Sequence, residues 1–187
     1  MNSQKIAITG VLTSLFAVSA FIRIPTPFVP LTMQTFVVLL APMLVGAKYS
    51  FAAVALYIAL GLAGLPIFAN GGGPAYIFQP TFGFLIGFLL STIPCGLLSR
   101  NKNGFLPLFL SGMIASVIIH LAGGIGFWLS MNLAQGKDVS LYKAATLAVV
   151  PFIVPNFIKL TAAVFIARRL KPALRDLSSV QNAKTVL

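Results

Sequence analysis

The chain has 187 residues, of which 58% are hydrophobic and 8% charged, whereas a soluble domain carries roughly 25% charge. With a mean hydropathy of +0.99 and long, continuously apolar runs, it is predicted to be an all-α polytopic membrane protein, one domain over residues 1–187, and not a barrel of alternating strands. Thirteen Lys and Arg against two acids give a net charge of +11, but the basic residues sit between apolar runs and not on an exposed stripe, which argues against nucleic acid as a partner.

Six transmembrane helices are expected, in contact with membrane lipid. The first is placed at 5–22. Its end, Ala17-Val18-Ser19-Ala20, resembles a signal-peptide cleavage site, but the polytopic remainder requires a first helix. Within it Ala7, Gly10, Ser14 and Ala17 gather on one face, where a neighbouring helix of this chain or of another subunit can pack closely. Arg23 to Pro30 holds Pro25, Pro27 and Pro30 and cannot continue a helix. The second span is placed at 31–47, with Thr32 and Gln34 in its first turn and Pro42 inside. Lys48 is read as a tight turn before the third span at 49–65.

From Tyr49 to Ser99 there is no Asp, Glu, Lys or Arg. The loop inside that window runs from Phe68 through Asn70-Gly71-Gly72-Gly73-Pro74 and Tyr76 to Pro80-Thr81. Three glycines permit positive φ and close approach to another object. Irregular, uncharged backbone at membrane depth is tolerated where protein buries it or where it lines a cavity. The fourth span is placed at 81–98, followed by the polar turn Arg100 to Gly104. The fifth, 106–133, is long for about 20 residues and is expected to tilt or to break near Gly123-Gly124. Val139 to Val150 reads as an interfacial helix. The sixth span is placed at 155–170, with Pro155 at the favoured first position, and a basic tail follows.

With both termini cytoplasmic, that side holds Lys5, Lys48, Arg100, Lys102, Arg168, Arg169, Lys171, Arg175 and Lys184, against Arg23, Lys137 and Lys143 opposite. The proline-rich segment, the glycine loop and the start of the sixth span then share the external side. An enzyme is not expected, because Asp138 and Asp176 are the only acids and lie in polar connections. One His and one Cys cannot assemble a metal site, and no cofactor is expected. Cys95 reads as packing, His120 as a packing histidine, and Trp128 as a belt aromatic or a pocket wall. No energy source is visible, so either a partner supplies it or transport is passive.

Lys159 is the informative charge. A lysine at mid-helix depth costs about 2.5–3.5 kcal/mol on insertion scales. It either snorkels or, with Asn156 three residues earlier on the same face and the free amides of a helix start at Pro155, forms an anion site. Thr32 and Gln34 are read as pocket lining or as caps.

Pro30-Leu31-Thr32-Met33-Gln34-Thr35, Phe68-Ala69-Asn70-Gly71-Gly72-Gly73, Pro80-Thr81-Phe82-Gly83-Phe84-Leu85-Ile86-Gly87-Phe88 and Val150-Pro151-Phe152-Ile153-Val154-Pro155 leading to Lys159 together resemble the BioY family. These are the biotin-specific substrate-binding subunits of the energy-coupling factor (ECF) transporters. The resemblance implies a six-helix subunit in a prokaryotic cell membrane that captures biotin from outside. It would dock through Ala7, Gly10, Ser14 and Ala17 onto a transmembrane coupling subunit driven by two cytoplasmic ATPases. The implied biotin contacts are Thr32, Gln34, Asn70, Tyr76, Thr81 and Asn156, with Lys159 on the carboxylate and Phe68 and Gly71 to Gly73 as a cap. The family carries an acid where this chain has Asn156, which leaves Lys159 without its nearest counter-ion. Two alternatives stand beside this: a subunit for another small anionic vitamin, and a self-sufficient oligomeric facilitator.

Overall fold

α1 (Ser3–Phe21) does not lead into a structureless proline segment. The computed structural model describes residues 3–184, and there the segment folds back as a hairpin. Arg23–Ile24 (β1) pairs antiparallel with Leu31–Thr32 (β2), Arg23 opposite Thr32 and Ile24 opposite Leu31. Pro25, Pro27 and Pro30 lie outside the paired residues, where no ladder needs the N–H they lack. The Thr26 hydroxyl donates to the Val29 carbonyl at 2.5 Å, and the Met33 amide to the Ile22 carbonyl at 2.9 Å, closing the turn and its base. Thr32 therefore belongs to a strand, and α2 begins only at Gln34 (Gln34–Val45).

The tight turn after α2 is made by Gly46, at φ +82°, a conformation that suits glycine. Lys48 sits one residue inside α3 (Ala47–Leu62) and does not form the turn. α3 stops at Leu62, short of the expected Leu65, because Gly64 takes φ +114°. The Leu65 amide then reaches back to the Leu60 carbonyl at 3.2 Å in a Schellman-type end. Pro74–Phe78 is a turn of 3-10 helix leading to α4 (Phe82–Leu98).

α5 (Phe105–Leu129) passes unbroken through Gly123-Gly124. Those glycines serve packing: a Cβ on Gly123 would lie 2.4 Å from the Phe84 ring. The irregularity comes later, in a wide π turn at Ser130–Ala134, where the Gln135 amide bonds the Ser130 carbonyl at 3.1 Å. Ser140 caps the short α6 (Leu141–Ala148), which buries Ala144 and Ala148 and exposes Leu141, Tyr142 and Lys143.

α7 (Val150–Lys184) starts at Val150, not at Pro155. Pro151 occupies its first turn, where a missing N–H costs nothing, while Pro155 lies within the helix. The first-turn amides of α7 are thus at 150, 152 and 153, and Asn156 lies three residues beyond the last of them. Side chains are described up to residue 174, so those of Arg175, Asp176 and Lys184 in the basic tail lie outside.

The helices pack as a bundle whose most intimate pair is α4 on α5, with α2 against α7 and α1 against α3. Phe16, Leu39, Met43, Tyr57, Phe127 and Leu160 form its fully buried centre. By length and composition, 105–134 and 150–174 suffice to cross a membrane, and four shorter apolar helices accompany them. The 12 residues of α2 extend only about 18 Å, short of a hydrocarbon core of about 30 Å.

Candidate functional site

A cavity of about 40 Å³, room for a few waters, opens where the hairpin, α2, the 3-10 turn, α4, α5 and α7 meet. Its position follows from the local features above. The hairpin turns Thr32 inward, the glycine loop delivers Ala69 and Tyr76, and the early start of α7 brings Asn156 and Lys159 to the same wall.

Most of the wall is apolar. Phe84, Leu85 and Phe88 come from one face of α4, Ile119 from α5, Phe152 from α7, and Val29 and Pro30 from the hairpin. Set in this surface are a few polar groups. The Thr32 hydroxyl accepts from the Gln34 amide N–H at 3.3 Å, and Gln34 Nε2 donates to the Tyr57 hydroxyl at 2.8 Å. The Tyr57 hydroxyl in turn donates to the Ile67 carbonyl at 3.0 Å, so Gln34 is held from behind by α3. Thr81 Oγ1 donates to the Tyr76 hydroxyl at 2.8 Å. Burial pushes the Tyr76 phenol up, against the opposing pull of the Thr81 bond, so it stays protonated near neutrality.

On α7, Lys159 is half-buried and its ammonium donates to the Thr32 carbonyl at 2.6 Å. Asn156 is 6% exposed, and its Oδ1 has no hydrogen-bond partner among the described residues. A buried amide oxygen without a donor costs about 1–3 kcal/mol, so it marks a place where a donor is wanted. His120 also reaches the cavity; its Nδ1 donates to the Ser116 carbonyl at 2.7 Å, which leaves Nε2 as the acceptor of the neutral ring. Lys159 is the charged group on this wall, and Asp138, the one acid with a described side chain, is not part of it. By its lining, and once it widens beyond its present volume, the cavity suits a largely apolar solute with an acid at one end and N–H donors at the other.

Of the residues expected from the sequence, Thr32, Gln34, Tyr76, Thr81, Asn156 and Lys159 share this cavity. Phe68, Asn70, Gly71, Gly72 and Gly73 do not line it. Phe68 is fully buried behind the wall, its ring 4.5 Å from that of Tyr76 and 5.3 Å from that of Tyr57. Asn70 is exposed, and its Oδ1 accepts from Arg23 Nη1 at 2.9 Å. The glycines bring the loop close to the end of its own helix: Gly73 N–H bonds the Gly61 carbonyl at 2.7 Å, and a Cβ on Gly72 would collide with the Leu65 carbonyl. Their close approach is to α3 and not to the cavity. Asn156 and Lys159 act here through their side chains, because the free amides of α7 lie a turn earlier.

Reading by motif missed the apolar wall. Phe84, Leu85 and Phe88 follow Thr81 at helical spacing, and that period was the available signal. Trp128 is half-buried and lies outside the cavity wall. On α1, Ala7, Gly10 and Ser14 are exposed and Ala17 half-buried, with nothing within 4 Å of a Cβ placed on Gly10.

A model described as the BioY family matches residues 1–176. The chain is 40% identical over 163 residues to the biotin transporter BioY of Thermotoga maritima, covering 87% of this chain and 92% of that protein. It is 34% identical over 188 residues to the probable biotin transporter BioY of Lysinibacillus sphaericus, covering 96% of this chain and 93% of the other. A crystal structure of the S-component for biotin from an ECF-type ABC transporter superposes with a TM-score of 0.79 at 24% identity, over 92% of this chain and 94% of that one. At that identity the superposition speaks for the fold.

Proposed function

We propose a function from one premise: this chain belongs to the BioY family. It is a membrane protein, its relatives are named as transporters, and what it carries is read here from its own cavity. The chain binds biotin at the cavity between the hairpin and α7 and mediates its uptake. The observation that carries this reading is the pairing on one wall of an unsatisfied buried acceptor, Asn156 Oδ1, with a half-buried ammonium, Lys159. Biotin offers ureido N–H donors at one pole and a carboxylate at the other, joined by an apolar ring and chain. The Lys159 ammonium reaches the Thr32 carbonyl on the hairpin, while Asn156 Oδ1 is held within α7. The carboxylate replaces the Thr32 carbonyl as partner of the ammonium, exchanging a neutral acceptor for a charged one. Phe84, Phe88 and Phe152 supply the apolar surroundings.

The six apolar helices α1 to α5 and α7 cross the membrane, α2 extended by the hairpin before it. The cluster of Lys48, Arg100 and Lys171 around one cleft supports assigning that end to the cytoplasm, and the cavity to the outside. The exposed small residues of α1, Ala7, Gly10 and Ser14, supply a face on which an ECF coupling subunit with its two ATPases can dock.

Calorimetry in lipid nanodiscs tests the binding reading. Biotin is expected to bind one per chain, and Lys159→Met to weaken biotin while leaving the neutral biotin amide unaffected. Equal affinity for unrelated small acids, or loss of both ligands alike, overturns it. Uptake in a host without coupling subunits separates an ECF subunit from a self-sufficient facilitator.

A further inference from the structure

Lys159 serves two hollows. Besides the cavity, it lines an outer recess of about 200 Å³ whose walls include Arg23, Thr32, Ile22, Leu31 and Met33. Leu31, Thr32 and Lys159 belong to both walls, so β2 and the lysine stand between the two spaces. Strand register sets Arg23 directly opposite Thr32, and Lys159 reaches the Thr32 carbonyl at 2.6 Å. Two cations far apart in the chain thus line one recess. Arg23 spends Nη1 on neutral acceptors, Asn70 Oδ1 at 2.9 Å and the Ala69 carbonyl, and the rest of its fork makes no hydrogen bond among the described residues. Neither cation has an acid partner among the described side chains, of which Asp138 is the one acid. Two neighbouring positive charges without a counter-ion favour an anion between them, and the apolar residues of the recess favour an anion with a hydrocarbon tail.

We propose that this recess is a capture site for the substrate carboxylate. The acid lands between Arg23 and Lys159, and Lys159, turning about Thr32, passes it to the cavity within. Arg23 acts before binding is complete: it raises the rate of arrival and holds no part of the substrate in the final complex. The inference rests on the biotin reading, and its readout is kinetic where that reading's is at equilibrium.

Stopped-flow association of biotin with the full chain in nanodiscs of phosphatidylcholine tests it. Arg23→Gln is expected to lower the association rate about 3- to 10-fold, within the range of electrostatic steering, and to flatten its dependence on salt. The dissociation rate stays as in the wild type, Arg23→Lys restores the salt-dependent rate, and the biotin amide associates equally fast with every variant. Because Arg23 also ties β1 to the glycine loop, Ile24→Glu gives a second measure: a negative charge on the exposed rim should slow biotin and spare the amide. Unchanged rates in both variants, or equal slowing of biotin and amide, overturn the proposal. If the wild type binds no biotin at equilibrium, the functional reading falls and this inference with it. If it binds biotin and the variants are kinetically silent, only the capture site falls.

Discussion

Asn156 is the residue where folding and binding pull apart. Buried amide oxygens normally find a donor, and this one has none among the described residues. Replacing it with a leucine of similar volume removes a desolvated, unpaired group, and such a change is close to neutral for the fold or favourable to it. The same change takes away the ligand's acceptor. Asn156→Leu is therefore expected to hold or raise the thermal midpoint of the free protein while weakening biotin by about 1–3 kcal/mol, roughly 5- to 150-fold. Parallel melting curves and titrations check this. A fall in stability with unchanged affinity would make Asn156 a packing residue and remove the main support for the site. Lys159 behaves differently, since its ammonium already has the Thr32 carbonyl as a partner and needs only to exchange it.

At the scale of elements, two pairs of helices decide the site. α4 and α5 approach so closely that a Cβ on Gly83 would lie 2.6 Å from both the Ala122 carbonyl and the Gly126 Cα. Those contacts are backbone, which cannot swing aside as a side chain can. Gly83→Ala should therefore force the helices apart, at a cost of about 1–3 kcal/mol. Its signature is a thermal midpoint several degrees lower in detergent, together with weaker biotin binding, because Thr81 and Phe84 are carried on the displaced end of α4. Full retention of both properties would mean that this helix pair is more compliant than its geometry indicates. The second pair is α2 with α7, which brings Gln34 and Asn156 to the same cavity. Proline positions govern it: Pro151 lets α7 begin early, and Pro155 falls within the helix without ending it.

For the whole molecule, the distribution of charge orders the two ends. Lys48, Arg100 and Lys171 surround one cleft, where the Lys171 ammonium donates to the Ser99 and Lys102 carbonyls at 2.5 and 2.9 Å. Arg23 and Lys159 gather at the hairpin. The positive-inside rule then predicts orientation. In a Cys95→Ala background, cysteines at Ile24 and Lys137 should react with an impermeant maleimide applied to intact cells, and cysteines at Lys48 and Arg100 only after lysis. The reverse pattern would turn the cavity toward the cytoplasm and remove uptake as its role. Cys95 itself is fully buried, so its replacement clears the background of a thiol with no exposed surface.

The class of the protein and the number of its apolar helices were legible in the sequence itself, whereas the grouping of Thr32, Gln34, Tyr76, Thr81, Asn156 and Lys159 was expected mainly from the resemblance of their motifs to a family, which also drew in Phe68, Asn70 and Gly71 to Gly73. Hydropathy and cation spacing are summed over many residues and do not depend on how the helices pack. The hairpin was not legible, because two-residue strands leave no periodic signal and three prolines read as a plain break. Nor was the start of α7, since Pro151 and Pro155 both satisfy the rule for a first-turn proline and only packing chose between them. The glycine loop shows the limit most plainly. Composition announces that its backbone approaches something closely, but the partner, its own α3 and not the cavity, is a contact between distant residues that only the folded chain defines.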